Sequence, residues 1–171
     1  MKISAIFESW YISDGNYPPL KKGELVNLSF EFAPDRVTRV SAGEPENMIQ
    51  ISGAEHQVCA KVLKIYDELT VVEAEDFRFY IQHFLEKTKH FEEGDKIWGT
   101  GILSLDHYLW VEFSHQYADA PDLFFKLKIT GIYELPEEKQ VESMAESAAT
   151  GWLVNFDSAG LDVDPISRTF R

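Results

Sequence analysis

Imidazole and carboxylate side chains are concentrated between residues 106 and 122 of the chain. The group consists of Asp106, His107, His115, Asp119 and Asp122. Such side chains can bind a divalent metal ion or act as acid and base in catalysis. If residues 107–115 form an extended strand, however, its two histidines lie roughly 25 Å apart and cannot share a metal ion. We interpret the group as turn residues, since Asp is common in turns, and keep as an alternative a ligand site formed by His107, His115 and Asp119 with Tyr108.

The sequence contains no motif that is typical of a cofactor-binding or catalytic site. It has neither a G-x-G-x-x-G turn nor a phosphate-binding lysine loop, and it lacks a G-x-S-x-G serine motif. Its single cysteine, Cys59, excludes both a cysteine zinc cluster and an internal disulfide framework. We therefore predict no catalytic residues, no metal ion and no cofactor.

The chain of 171 residues carries a formal net charge of −13. A surface of this charge repels phosphate backbones and anionic membranes, so the sequence argues against nucleic acid and membranes as partners. The same charge is compatible with a basic protein partner.

Three features predict a cytoplasmic protein. A lone cysteine fits a reducing compartment. Glu8 interrupts the apolar residues near the start of the chain, so we predict no signal peptide. No apolar run approaches the length of a transmembrane helix.

The stretch 91–113 shows the regular alternation of a β-hairpin. Its first half has Ile97, Gly99, Gly101, Leu103 and Leu105 on one parity, and its second half has Leu109, Val111 and Phe113. A three-residue loop at 106–108 pairs these apolar positions with one another, whereas a two-residue loop does not. We therefore predict a hairpin in which Phe113 lies over the bare backbone of Gly101.

The opposite face of this predicted hairpin carries two tryptophans, Trp98 and Trp110. Two such side chains need a cover, from the chain itself or from a partner. A predicted helix after Pro136, with Val141, Met144, Ala145 and Ala148 at helical spacing, is our candidate for the cover. Self-association through the tryptophan face, giving a homo-oligomer, is an alternative.

Short alternating stretches elsewhere predict further strands. They cover residues 2–12, 24–32, 48–51, 58–66, 69–74, 77–85, 123–135 and 152–156, whereas residues 33–47 have the composition of a loop. The pattern predicts an all-β fold, either a small antiparallel barrel of the OB-like type or a sandwich, with one short C-terminal α-helix. Residues 1–135 would form the β domain, and residues 136–171 a helix and an acidic tail packed on it or extending from it.

These observations favour a non-enzymatic, acidic protein-binding module. A specific version is a protein of the immunity or antitoxin kind, which neutralises a basic target. We predict the contact residues Trp98, Trp110, Tyr108, Glu92, Glu93 and Glu112. The alternatives are a small-ligand-binding or hydrolytic enzyme that uses the His/Asp site above, and an OB-like single-strand binder with aromatic platforms, against which the lack of a basic groove counts.

Overall fold

The computed structural model of the protein describes residues 1–83, 90–146 and 149–158. All strands of this part belong to one mixed sheet, so the predicted all-β class is confirmed. The strands are β1 (Lys2–Glu8), β2 (Leu25–Leu28), β3 (Phe30–Val40), β4 (Asn47–Ser52), β5 (Glu55–Ile65), β6 (Leu69–Ala74), β7 (Phe77–Gln82), β8 (Lys96–Leu105), β9 (Phe125–Glu134), β10 (Lys139–Val141) and β11 (Gly151–Asp157). Two short α-helices, α1 (Trp10–Ser13) and α2 (Leu109–Ser114), and a 3-10 turn at Met144–Glu146 complete the described elements.

Five of the strands pair in a closed cycle. β5, β6 and β7 form an antiparallel meander, β8 pairs antiparallel with both β5 and β3, and β3 pairs in parallel with β7. β3, the first of these strands in the chain, therefore lies between β7 and β8, the last two. The order of pairing returns to the strand from which it started.

The remaining strands extend the sheet from this cycle. β1 meets β8 in parallel where Ile6 lies opposite Ser104, and β11 lies between β1 and β9. The other side of β9 pairs with β2 and with β10, and β4 pairs with β5. The C-terminal part of the described chain thus supplies a strand in the middle of the sheet.

The main core lies on the inward side of these strands. Alternate residues of each strand enter it, as Phe32, Val58, Phe79, Ile97 and Leu103 illustrate. A cavity of about 10 Å³ remains among apolar side chains here. That volume would hold roughly one water molecule, but the apolar lining offers a water molecule no side-chain hydrogen bonds.

A second apolar cluster covers the outward face of β6 and β7. It contains Tyr66, Leu69, Val71, Tyr80, Trp110, Phe113 and Leu123. Trp110 and Phe113 come from α2, so this helix lies on the outer face of the meander.

The predicted hairpin is half right. The alternation along β8 is confirmed, because Ile97, Leu103 and Leu105 are buried. Its second half is wrong: residues 109–114 form α2 instead of a strand, and β8 pairs with β3 and β5. Spacing explains the error: Leu109, Val111 and Phe113 alternate as in a strand, whereas Trp110 and Phe113, three residues apart, lie on one side of a helix.

The glycines of β8 make room for the backbone of β3, and not for the Phe113 ring as predicted. A Cβ atom at Gly101 would lie 2.3 Å from the carbonyl oxygen of Ala33, and one at Gly99 would lie 2.6 Å from that of Arg36. The pairing of β3 with β8 shifts register between Pro34 and Arg36, opposite these glycines. The bare glycine backbone therefore lets a bulged strand approach closely.

Three further predictions are corrected. Residues 33–40 belong to β3 and are not a loop. Residues 139–141 form β10 and 144–146 a 3-10 turn, so the predicted C-terminal α-helix is wrong for these residues; Ala148 lies outside the described residues, as do residues 159–171 of the predicted tail. The sheet is mixed instead of antiparallel.

Among the described residues, no helix combines the length and the apolar character that crossing a membrane would require.

Replacing Gly101 with alanine tests the close approach of β3 and β8. We expect Gly101→Ala to lower the free energy of unfolding by about 3 kcal/mol or more, because the new methyl group meets backbone atoms that cannot move aside. Urea denaturation followed by circular dichroism measures the change.

Gly43→Ala is the matched control, since its new Cβ atom would have its nearest neighbour at 3.8 Å. Its unfolding midpoint should stay close to that of the wild type. Equal midpoints for the two variants would contradict the packing described for β8.

Candidate functional site

The carboxylate of Asp106 is fully buried at the end of β8. Its Oδ1 atom accepts hydrogen bonds from the hydroxyl of Tyr80 at 2.6 Å and from the backbone N–H of Trp110 at 3.0 Å. Its Oδ2 atom accepts one from the hydroxyl of Ser29 at 3.1 Å. Burial raises the pKa of the Asp106 carboxyl, and these three hydrogen bonds act in the opposite direction. Asp106 therefore links β7, β8, α2 and the junction of β2 with β3.

The same carboxylate explains where α2 begins. Tyr108 adopts a left-handed backbone conformation with φ of 84°, which turns the chain sharply after β8. The Trp110 N–H, which has no partner within the helix because it lies in the first turn, donates a hydrogen bond to Asp106. The Trp110 ring then stacks on Tyr80 at a centroid distance of 6.2 Å, so hydrogen bond and ring contact hold the helix together.

His107 lies where four segments of the chain meet. Its Nδ1 atom is 3.3 Å from Oε2 of Glu31 in β3. Its ring centroid is 5.8 Å from that of Trp10 and 6.4 Å from that of Tyr11, both in α1. The side-chain amide of Asn16 donates to the His107 carbonyl oxygen at 3.3 Å, which fixes the backbone.

Carboxylates dominate the electrostatics around His107. The hydrogen bond to Glu31 raises the pKa of His107 above its ordinary value, burial opposes this, and the charges of Glu31, Asp106 and Glu8 raise it further. Burial, followed by the same three carboxylates, raises the pKa of the Tyr11 hydroxyl. The local potential is therefore negative.

Two aromatic residues next to His107, Trp10 in space and Tyr108 in the chain, are exposed to solvent. Trp10 is 39% exposed, and its indole N–H donates to Glu8 at 2.5 Å. Tyr108 is 38% exposed and makes an edge contact with Tyr17 at 6.4 Å. We call the surface formed by Glu8, Trp10, Tyr17, Glu31, His107 and Tyr108 the acidic aromatic surface.

Two of the residues singled out from the sequence lie on this surface, namely His107 and Tyr108. Trp110, which we predicted to be a contact residue, is instead fully buried under α2. Trp98 is half-buried on the outward side of β8, opposite Thr38 and Cys59. The two tryptophans do not share a face, so the predicted tryptophan face and its helical cover are wrong.

The other predicted residues are exposed and lie outside the acidic aromatic surface. Glu93 and Asp119 both approach Nζ of Lys64, at 3.6 Å and 3.0 Å. Glu92 belongs to the turn before β8, where its N–H donates to Asp95, Glu112 lies on α2, and His115 follows the last residue of that helix. Apart from Glu93 and Asp119, which share Lys64, the described geometry does not bring these residues together, and their predicted roles stay predictions.

Helix α2 also changes the separation of the two histidines. Its six residues rise about 1.5 Å each, less than half the rise of a strand, so the extended distance of roughly 25 Å does not apply. In the part of the chain that the structure describes, no group of three or more His, Cys, Asp or Glu side chains is arranged to hold a metal ion.

Sequence reasoning missed Glu8, Trp10, Tyr17 and Glu31. We interpreted Trp10 as part of the first strand, which in fact ends at Glu8. Glu31 looked like any outward residue of an alternating strand, and no local pattern shows that it meets His107. The one usable signal concerns the start of α2 and not these four residues. Asp106 stands four residues before Trp110, and Asp is a frequent acceptor for the N–H groups at the start of a helix.

Comparisons with models of protein families, with curated proteins and with solved structures found no match to this chain. The chemistry of the site must therefore be judged from its geometry. Carboxylates attract cations, and exposed aromatic rings bind cations on their electron-rich faces. The acidic aromatic surface is thus suited to a cationic group on another molecule.

Removing the Asp106 carboxylate should destabilise the protein strongly. Asp106→Ala leaves three buried donors without an acceptor, and we expect it to lower the free energy of unfolding by about 3 kcal/mol or more. Asp106→Asn should lose less than half as much, because its oxygen still accepts from Tyr80 and Trp110 and its amide can donate to Ser29. Urea denaturation provides both values.

Asp122→Ala serves as the control. The Asp122 carboxylate accepts a hydrogen bond from the Phe124 N–H at 3.0 Å but is exposed, so water can replace it. A loss of less than about 1 kcal/mol is expected. Equal losses for Asp106→Ala and Asp122→Ala would show that Asp106 does not have the structural role described.

The ion pair of His107 with Glu31 should be visible in a titration. We expect NMR of the His107 ring protons to give a pKa above 6.5, and Glu31→Gln to lower it. Because the folded-state pKa is raised, the pair stabilises the protein fully below about pH 6.5, and this contribution is lost as the pH rises through the raised pKa.

Glu55→Gln on β5 is the control and should leave the His107 titration unchanged. The difference in free energy of unfolding between wild type and Glu31→Gln should also shrink between pH 5.5 and pH 8.5. A titration of His107 that is the same in wild type and Glu31→Gln would rule out the pair.

Proposed function

We propose that this protein is a non-enzymatic binding module that captures a basic protein through the acidic aromatic surface. The observation that carries the proposal is the combination of two exposed rings, Trp10 and Tyr108, with the carboxylates of Glu8 and Glu31. Aromatic side chains that anchor a partner, surrounded by charge complementary to it, are typical of protein interfaces. Neutralisation of a toxic basic protein, as immunity and antitoxin proteins achieve it, is the specific version.

The charge of the whole chain supports this proposal. A net charge of −13 accelerates the approach of a basic partner and disfavours acidic ones. The carboxylates of Glu8 and Glu31 concentrate that charge at the acidic aromatic surface, and the buried Asp106 lies next to His107. Charge would steer the partner, and the two exposed rings would bind it.

The rigid platform for this surface is, in our proposal, an OB-like barrel. The closed cycle of β5, β6, β7, β3 and β8 supports it, because a five-stranded barrel needs its last strand to pair with its first. The buried thiol of Cys59, which is free, supports a cytoplasmic location.

The same arrangement disfavours binding of single-stranded nucleic acid. OB-type barrels use the outer face of their second and third strands for this purpose. If the strands are counted from β5, β6 and β7 hold that place, and Trp110 and Phe113 of α2 cover their outer face. The cavity in the main core does not support the enzyme alternative, since its volume of about 10 Å³ is far too small for a substrate.

Affinity capture with designed variants tests the proposal. Immobilised wild-type protein is incubated with an extract of the cells that produce it, alongside a Trp10→Ala plus Tyr108→Ala double variant. We expect a basic protein that the wild type retains and that the double variant retains at least tenfold less, because loss of two anchor rings removes the main contacts. Retention should also fall as salt is added.

Leu25→Ala is the matched control, since Leu25 is an exposed apolar residue of β2 outside the acidic aromatic surface. Its capture pattern should equal that of the wild type. Capture of the same proteins by wild type, control and double variant would overturn the proposed surface, and capture of none by wild type would overturn the proposed function.

A further inference from the structure

Inside the acidic aromatic surface, His107 already occupies the position of a bound cation. Its imidazole lies 5.8 Å from the Trp10 ring and 6.4 Å from the Tyr11 ring, and 3.3 Å from the Glu31 carboxylate. The distance to Trp10 is within the range of about 6 Å over which a cation interacts with an aromatic ring, and the distance to Glu31 is that of an ion pair. The surface is thus built to hold positive charge, and a side chain of the protein itself supplies it.

The carboxylates exceed the positive charge that the protein offers them. In the described ranges, the ion pair of Glu31 is with His107, and no Lys or Arg forms an ion pair with Glu8. Glu8 accepts a hydrogen bond from the neutral indole of Trp10. Within these ranges, the carboxylate of Glu8 beside an exposed ring therefore forms no ion pair with Lys or Arg, and that of Glu31 has a partner whose charge depends on pH.

We propose that the acidic aromatic surface binds an arginine side chain of the basic partner, and that His107 releases its proton when the guanidinium binds. This inference rests on the proposed function, because it specifies the chemical group of the partner. Binding would place the guanidinium on the Trp10 ring beside Glu8 and within reach of Glu31.

Arginine fits this surface better than lysine for two reasons. Its guanidinium is planar and stacks on an aromatic ring, whereas an ammonium ion is compact and strongly hydrated. Its five N–H donors point in several directions in one plane, so a guanidinium stacked on the Trp10 ring can donate to two carboxylates at once. Trp10, with Glu8 at its indole edge, presents both features.

The proton release follows from competition for Glu31. The titratable groups that face His107 are Glu8 at the end of β1, Tyr11 on α1, Glu31 on β3 and Asp106 at the end of β8; Tyr80 on β7 donates to Asp106. Three of these groups are carboxylates, so they hold the imidazolium in place until another cation arrives. A guanidinium nearby then repels the imidazolium and favours its neutral form.

The test uses N-acetylarginine amide as the probe, followed by NMR through the indole N–H signal of Trp10. We expect the probe to bind about tenfold more tightly at pH 8.5 than at pH 5.5. By linkage, saturating probe should lower the pKa of His107 by about one unit, which corresponds to that factor of ten. N-acetylcitrulline amide, which is neutral, and N-acetyllysine amide are the comparison ligands and should bind at least about tenfold more weakly at pH 8.5.

Two variants separate the parts of this proposal. Trp10→Ala should weaken probe binding at least about tenfold, whereas Leu25→Ala should bind as the wild type does. His107→Gln should give an affinity that does not change between pH 5.5 and pH 8.5, whatever its absolute value. Equal binding of the lysine or citrulline compound would overturn the assignment of arginine, and unchanged pH dependence in His107→Gln would overturn the proton release.

Failure of this inference and failure of the proposed function are distinguishable. If the probe does not bind while the Trp10→Ala plus Tyr108→Ala variant still loses its captured protein, the arginine assignment falls and the function stands. If the probe binds as expected while wild type captures no protein, the function falls and the surface is a site for a free cationic ligand.

Discussion

A carboxylate without solvent must find hydrogen-bond donors, and the arrangement around Asp106 depends on this requirement. Its donors come from Ser29, Tyr80 and Trp110, which belong to three separate parts of the chain. A buried carboxylate that lost them would cost several kcal/mol. The end of β8, the β2–β3 junction, β7 and α2 are therefore held in one relative position.

That interior requirement has an effect at the surface. Asp106 precedes His107 directly, so its charge adds to those of Glu31 and Glu8 around the imidazole. In addition, the stacking of Trp110 on Tyr80 places both of these rings in the interior. Trp10 beside Glu8 and Tyr108 after His107 remain exposed, so the chemistry of the surface follows from which rings the interior buries.

The sequence predicted well what depends on alternation along one strand. Strand β6 has the predicted bounds, and β8 buries the predicted parity, because each position is decided by its own side chain and the core. Prediction failed where two periods fit the same residues. Leu109, Val111 and Phe113 alternate as in a strand, whereas Trp110 and Phe113 have the spacing of one side of a helix. The deciding interaction is the hydrogen bond that the Trp110 N–H donates to Asp106, a residue that the sequence alone predicts to be part of a turn.

The candidate site could be predicted only in part, for a related reason. The sequence identifies His107 as an imidazole among carboxylates and Tyr108 as an aromatic contact residue. Glu31 and Trp10 come from segments that meet His107 only after β3 and β1 have paired with β8. No local pattern records such long-range meetings, so their contribution is visible only in the folded protein.

The pairing of β3 with β7 and β8 has a consequence for synthesis on the ribosome. Strands β4 to β7 can pair with neighbours as soon as they emerge, whereas β1 waits for β8 and β11, β2 for β9, and β3 for β7 and β8. Contacts between residues so distant in the chain form slowly. The first forty residues therefore leave the exit tunnel long before their partners, and their apolar strands are the segment that a nascent-chain chaperone would have to shield.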